Sequence, residues 1–187
     1  MKESLEEAMI AQTKIAITES DLCLFVIDGR TSLTKNDLAI ARLVRENNKK
    51  SVLIINKKEG NVGEVFEKEF YKLGLDVGVG ISAEHKEGFT LIDKKIEPFF
   101  DEHKERFGDI EEELKKNTHD NKALQLAVIG RPNAGKSTFI NKLINQNRLI
   151  VGPIAGITRD SITIDWEFEG QKIKLIDTAG IRKKANV

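Results

Sequence analysis

The sequence predicts an α/β fold whose sheet is mostly parallel, and three observations carry this prediction. Short apolar runs at 22–27, 51–55 and 124–129 end abruptly at polar or glycine-containing turns, as buried parallel strands do. Stretches with apolar residues at helical spacing lie between these runs. The run 124–129 passes through a glycine-rich turn directly into a further helical pattern. This alternation favours a sheet covered by helices.

The chain begins with an amphipathic helix, predicted over about residues 4–19. In the strand 22–27, Cys23 is interpreted as a buried strand residue and not as a nucleophile. A second helix starts at Thr34, and Asp37 three residues on is a weak capping signal. The inner face of this helix is predicted to carry Leu38, Ala41 and Val44.

Four more elements complete the first part of the chain. The buried strand 51–55 is followed by a third helix, for which the apolar spacing extends over 62–73. A glycine-containing strand is predicted over 77–81. The fourth helix is predicted over 89–100, and Pro98 is expected to kink or split it.

Polar and charged residues predict a linker over 108–122, which divides the chain into the units 1–107 and 123–187. In the second unit, the glycine- and proline-rich residues 148–160 are interpreted as a mobile loop. A half-buried strand and its return strand then form a hairpin over about 162–176, with Trp166 as a packing residue.

Composition excludes several classes of protein. The 187 residues are 40% hydrophobic and 32% charged with a formal net charge of zero, so bulk charge indicates no nucleic-acid surface. One cysteine permits no disulfide within the chain, which fits a reducing cytoplasm. No apolar run approaches the roughly 18 residues of a membrane span, and the acidic start is not typical of a signal peptide.

The turn 130–137 reads Gly-Arg-Pro-Asn-Ala-Gly-Lys-Ser and lies between a strand and a helix, the context in which this pattern indicates a phosphate-binding loop, or P-loop. Its N–H groups and the helix N-terminus favour a phosphate. Lys136 is the predicted ligand and catalytic cation of the β- and γ-phosphates, and Ser137 a Mg²⁺ ligand. The predicted nucleotide-binding residues of the loop are Asn133, Ala134, Gly135, Lys136, Ser137 and Thr138.

Two further segments favour a triphosphate with Mg²⁺. Asp177, at the end of a strand, can hold Mg²⁺ through water, and the N–H of Gly180 can sense a γ-phosphate. Thr158, in the loop before the hairpin, can ligate Mg²⁺ when the γ-phosphate is bound; an ordinary loop threonine is the alternative. Thr158 and Gly180 are therefore predicted catalytic residues, beside Lys136.

Guanine is favoured by the ends of two strands in the first unit. Asn56-Lys57-Lys58-Glu59 approximates the N-K-x-D pattern of GTPases, in which the last residue's carboxylate accepts from the guanine N1–H and amine. Here that residue is glutamate, one methylene longer than aspartate. The Lys57 stem is expected to pack along the base. Ser82 and Ala83 fit the S-A-x pattern, whose alanine N–H meets the guanine O6. Each tetrapeptide alone is a weak signal.

Taken together these segments resemble the EngA (Der) family, bacterial GTPases with two G domains in tandem. Further segments share the likeness: 12–17, 25–30, 81–85, 152–160 and 177–182. The resemblance implies GTP or GDP binding, Mg²⁺-dependent GTP hydrolysis and a role in maturation of the large ribosomal subunit. It also implies a middle fragment: the end of a first G domain followed by the start of a second, without the family's KH-like domain.

The motif order, base recognition before phosphate binding, is that of a circularly permuted G domain. The first unit supplies the family's strands 4-5-6 and the second its strands 1-2-3. Pairing 22–27 with 124–129 would cover both exposed strand edges and rebuild one sheet. We expect this composite to close within one chain or by exchange between two chains as a swapped homodimer.

Alternatives remain open at the level of the sequence. Ile181 follows Gly180 where many GTPases have a water-orienting glutamine, so slow turnover is expected. Asn133 resembles the residue that holds K⁺ in some GTPases, and a polar turn residue is the other interpretation. The chain is either a GTPase or GTP-binding module, or a non-catalytic fragment that is unstable or useful only as an interaction piece; an ATPase is the third hypothesis.

Overall fold

The computed structural model describes residues 2–58, 69–107, 123–146, 162–168 and 171–177. Four α-helices occur within these ranges: α1 Lys2–Glu19, α2 Lys35–Glu46, α3 Phe89–Phe107 and α4 Lys136–Gln146. Six strands occur there as well: β1 Leu22–Asp28, β2 Ser51–Asn56, β3 Val79–Gly80, β4 Leu124–Ile129, β5 Ile162–Phe168 and β6 Gln171–Asp177. None of the described helices is long and apolar enough to cross a membrane.

The six strands form one sheet in the order β3-β2-β1-β4-β6-β5. All neighbouring pairs are parallel except β5 and β6, which form the predicted antiparallel pair. The predicted mostly parallel α/β sheet is therefore confirmed.

The strands β1 and β4, which come from the two predicted units, pair in parallel in the centre of this sheet. Their register runs from Leu22 opposite Leu126 to Phe25 opposite Ile129. At the start of the pair the Asp21 N–H donates to the Gln125 carbonyl at 2.8 Å. The Gln125 N–H donates to the Asp21 carboxylate, also at 2.8 Å. The predicted pairing of these two runs is present, and it is made within one chain.

Helices cover both faces of the sheet, which explains why the central strands read as continuous apolar runs. Along β1, alternate side chains enter separate cores on opposite faces. One core includes α3 and α4, where the rings of Phe89 and Phe139 stack with centroids 5.7 Å apart. The other core includes residues of α1 and α2: Ala16, Ile17, Ile40, Ala41 and Val44.

Two predicted packing residues lie where expected. Cys23 is buried in β1, in the centre of the sheet. Burial raises the pKa of its thiol, so Cys23 is a poor nucleophile. Trp166 is 2% exposed and packs against Phe168.

Helix α2 confirms one prediction and corrects another. Thr34 and Asp37 form a reciprocal capping box at its start. Leu38, expected on the inner face, is 42% exposed, whereas Ile40 is 1% exposed. The buried face follows positions 37, 40, 41 and 44, a spacing that turns Leu38 toward solvent.

Two further predictions about elements need correction. Helix α3 continues through Pro98 and is not split there. Proline removes one backbone hydrogen bond, but the buried rings of Phe99 and Phe100 anchor the helix beyond it. The strand predicted over 77–81 is only Val79–Gly80, and Val77 is exposed. The linker 108–122, the loop 148–160 and most of the third predicted helix lie outside the described residues.

Candidate nucleotide-binding site

Three loops that follow β1, β2 and β4 meet at one edge of the sheet, because parallel strands end on the same side. This edge is where α/β folds bind ligands. The loop after β4 is the predicted P-loop, and the loop after β2 begins with Asn56 and Lys57. The two predicted halves of the site therefore face each other in one chain.

The P-loop adopts a backbone in which three residues have positive φ: Gly130 at 149°, Asn133 at 62° and Gly135 at 94°. An added Cβ at Gly130 would overlap the Val26 carbonyl oxygen of β1, so only glycine fits this close approach. The loop leads directly into α4, whose first residue is Lys136. Unbonded N–H groups at such a helix start favour an anion.

Lys136 is 5% exposed, although it is a charged residue. Its Nζ donates to the carbonyl oxygens of Gly130 at 2.8 Å and Arg131 at 3.0 Å. The two carbonyl groups thus hold the Lys136 ammonium against the backbone of the turn. A cation held in this way can neutralise phosphate charge without first being ordered.

Asn56 connects the base-recognition segments to the P-loop. Its Nδ2 donates to the Ala134 carbonyl at 3.0 Å, and its Oδ1 accepts from the Ala83 N–H at 3.0 Å. Asn56 is 1% exposed, so both bonds are shielded from water. The Ala83 N–H, expected to meet the guanine O6, donates to Asn56 in this structure, and a base would have to share that donor.

Lys57 lies between two partners at the same edge. Its Nζ donates to the Asp28 carboxylate and to the Asn133 carbonyl, each at 2.7 Å. Burial by itself raises the pKa of Asp28, but the Lys57 ammonium and the Arg30 N–H outweigh it and hold the pKa below its usual range. Asp28 is therefore ionised at neutral pH and paired with Lys57.

Arg131 makes a further contact between the two units that the sequence interpretation missed. Its guanidinium donates to the Thr31 hydroxyl at 2.7 Å and lies 3.5 Å from the carboxylate of Asp37. Asp37 thus belongs both to the cap of α2 and to an ion pair with the P-loop. The signal available in the sequence was a charged residue at a P-loop position to which the motif assigns no side-chain role.

The other predicted residues within the described ranges lie in α4, at the end of β6 and after β3. Ser137 and Thr138 follow Lys136 in the first turn of α4, where Ser137 is partly buried and Thr138 exposed. Asp177 ends β6, opposite Val128 of β4, and so lies at the same edge of the sheet. Ser82 is buried, and its hydroxyl accepts from the His85 N–H at 3.2 Å.

Glu59, Thr158 and Gly180 lie outside the described residues. Within the described ranges, no group of three or more His, Cys, Asp or Glu side chains could hold a metal ion by itself.

The fold and the site define an α/β P-loop nucleotide-binding protein. The features that do so are the largely parallel sheet, the P-loop, the buried Lys136 and the adjoining Asn56. The model of the family described as 50S ribosome-binding GTPase matches residues 1–57 and 125–187. The chain belongs to this GTPase family.

Curated relatives agree with the resemblance to the EngA (Der) family. GTPase Der of Rickettsia africae (strain ESF-5) is 48% identical over 187 residues, which cover 98% of this chain and 40% of the relative. GTPase Der of Rickettsia bellii (strain OSU 85-389) is 46% identical over 185 residues, covering 99% of this chain and 39% of the relative. The chain thus spans about 40% of the length of these relatives.

Proposed function

We propose that this chain binds GTP and GDP in one composite site and hydrolyses GTP slowly with Mg²⁺. Residues 1–107 would supply base recognition, residues 123–187 phosphate binding, and 108–122 the linker. The observation that carries the proposal is the bond from Asn56 to the Ala134 carbonyl, since it joins the two half-sites in a single chain.

The residues present fit a nucleotide with Mg²⁺. The positive-φ turn of the P-loop, the start of α4 and the buried Lys136 provide the donors that phosphate oxygens require. Ser137, Thr158 and Asp177 would hold Mg²⁺, which neutralises phosphate charge when bound. The N–H of Gly180 would contact the γ-phosphate. Asn56, Lys57, Glu59, Ser82 and Ala83 would line the base.

The motif order of this proposed domain is that of a circularly permuted G domain. Pairing of β1 with β4 supports one sheet that carries both half-sites. The stacked rings of Phe89 in α3 and Phe139 in α4 support the same arrangement, because they join a helix of each predicted unit. We propose that this sheet closes within a single chain.

A role in assembly of the large ribosomal subunit is the biological part of the proposal. It rests on the family description and on the likeness to GTPase Der, and a cytoplasmic location follows from such a role. The second candidate, a non-catalytic fragment, would not hydrolyse GTP and would bind guanine nucleotide weakly or not at all.

Thermal unfolding with and without nucleotide tests the proposal. GTP or GDP with Mg²⁺, at about 100 times its Kd, is expected to stabilise the chain by about 2.7 kcal/mol, because it binds only the folded state. ATP at the same concentration should give no shift, and Glu59→Ala should reduce the preference for guanine. Equal shifts with GTP and ATP would favour the ATPase hypothesis; no shift with any nucleotide would favour the non-catalytic fragment.

K⁺ is expected to accelerate GTP turnover relative to Na⁺ if Asn133 holds the ion. Asn133 is exposed on the P-loop and has a left-handed backbone with φ of 62°. Turnover would be measured at equal ionic strength in the two salts for the unmodified chain and for Asn133→Ala. Equal rates in both salts would make Asn133 an ordinary turn residue.

A further inference from the structure

Asp28 lies at the centre of a short polar chain that joins three loops. The Lys57 Nζ contacts the Asp28 carboxylate and the Asn133 carbonyl at the same 2.7 Å distance. The Lys57 stem passes the P-loop turn, since a Cβ added at Gly135 would lie 3.8 Å from Lys57 Cε. One ammonium group therefore binds an acid from β1 on one side and a P-loop carbonyl on the other.

The backbone on both sides of this contact is left-handed. Lys57 has φ of 66° and Asn133 has φ of 62°. Asparagine adopts this conformation readily, but at a lysine it costs about 1–2 kcal/mol and persists only where the surroundings impose it. The bond from Lys57 to the Asn133 carbonyl joins the two left-handed residues directly.

The position and the hydrogen bonds of Asp28 orient its carboxylate toward the Lys57 ammonium. It is the last residue of β1, is 8% exposed and lies opposite Asn56 in the parallel register. Its other carboxylate oxygen accepts from the Arg30 N–H at 3.0 Å, which fixes the orientation of the carboxylate. The lowered pKa agrees with a carboxylate that is ionised and paired.

We propose that Asp28 is a positioning residue of the nucleotide site: through Lys57 it fixes the base-recognition loop to the P-loop carbonyl of Asn133. The proposal rests on the proposed guanine-nucleotide function and adds to it an acid that the nucleotide itself does not contact. Without the carboxylate, the Lys57 ammonium loses its charged partner, and the two loops lose a fixed relative position.

The test is GDP binding by titration calorimetry with the unmodified chain and the variants Asp28→Asn, Lys57→Met and the double variant. Asp28→Asn is expected to weaken binding about tenfold, as loss of a charged hydrogen bond does. The double variant should bind within about twofold of Lys57→Met alone, because Asp28 acts only through Lys57. It also leaves neither charge buried without its partner.

Asp21→Asn is the matched control, since it removes a carboxylate from the opposite end of β1 at the same junction with β4. It should leave the GDP affinity unchanged within about twofold. Thermal unfolding without nucleotide separates a merely structural role, which would lower the Tm of Asp28→Asn and leave the affinity of the folded protein intact. Unchanged affinity of Asp28→Asn, or additive losses in the double variant, would overturn the role of Asp28. Failure of the unmodified chain to bind GDP would overturn the proposed function as well.

Discussion

Replacing Lys136 by alanine is expected to weaken GTP binding about a hundredfold and to abolish measurable hydrolysis. The side chain is 5% exposed, and its ammonium is held by two P-loop carbonyls before any phosphate arrives. A charged hydrogen bond contributes about 1.5–3 kcal/mol, and about 3 kcal/mol corresponds to a hundredfold in Kd. Titration with a fluorescent GTP analogue measures the loss, and phosphate release measures the rate.

Lys142→Ala provides the control for this experiment, because it removes the same side chain from the same helix, α4, away from the P-loop. Its affinity should equal that of the unmodified chain. The Lys136→Ala variant should remain folded without nucleotide, since it removes a buried charge whose desolvation opposes folding. Equal GTP affinity of Lys136→Ala and Lys142→Ala would show that the P-loop of this chain does not bind phosphate.

Much of the sheet could be predicted because its central strands are buried on both faces. The runs 22–27, 51–55 and 124–129 each became a strand, and the pairing of β1 with β4 followed from the need to cover two apolar edges. The polar residues at the ends of these strands predicted the edge of the sheet at which Asn56 and Lys136 lie.

The wrong predictions concern residues whose burial or strand pairing is set by tertiary contacts and not by the local sequence pattern. Leu38 and Ile40 are both apolar and two residues apart, so only the packing of α2 decides which one is buried. The strand at β3 is short because only Val79 and Gly80 align with Ile54 and Ile55 of β2. Such pairings depend on tertiary contacts that a short apolar run does not specify.

The candidate site, like the fold, was predicted only in part from the sequence. Motif spacing predicted the P-loop and Asn56 as site residues, because their chemistry requires particular residues near each other in sequence, and the structure brings the two into contact. Asp28 and Arg131 were not identified as site residues, because their partners Lys57 and Asp37 are far away in sequence. A polar residue at the end of a buried parallel strand, as Asp28 is, was the signal that could have identified it.

Replacing Gly130 by alanine is expected to destabilise the folded chain by about 4 kcal/mol. Gly130 directly follows β4 and has a φ of 149°. A Cβ at this position would overlap the Val26 carbonyl oxygen of β1. Val26 lies inside β1 and is 0% exposed, so its carbonyl has no room to withdraw. Backbone strain and overpacking cost about 1–3 kcal/mol each, and here they act together.

Urea unfolding measures this change, with Gly80→Ala as the control. The atoms nearest to a Cβ at Gly80 belong to the flexible side chain of Lys58 and not to backbone, so we expect a smaller loss, of about 1 kcal/mol. Because Gly130 begins the P-loop and packs against β1, Gly130→Ala should also lower GTP affinity. Equal stability of the two variants would mean that β1 and β4 do not pack in solution as they do here, and that the two half-sites do not share one sheet.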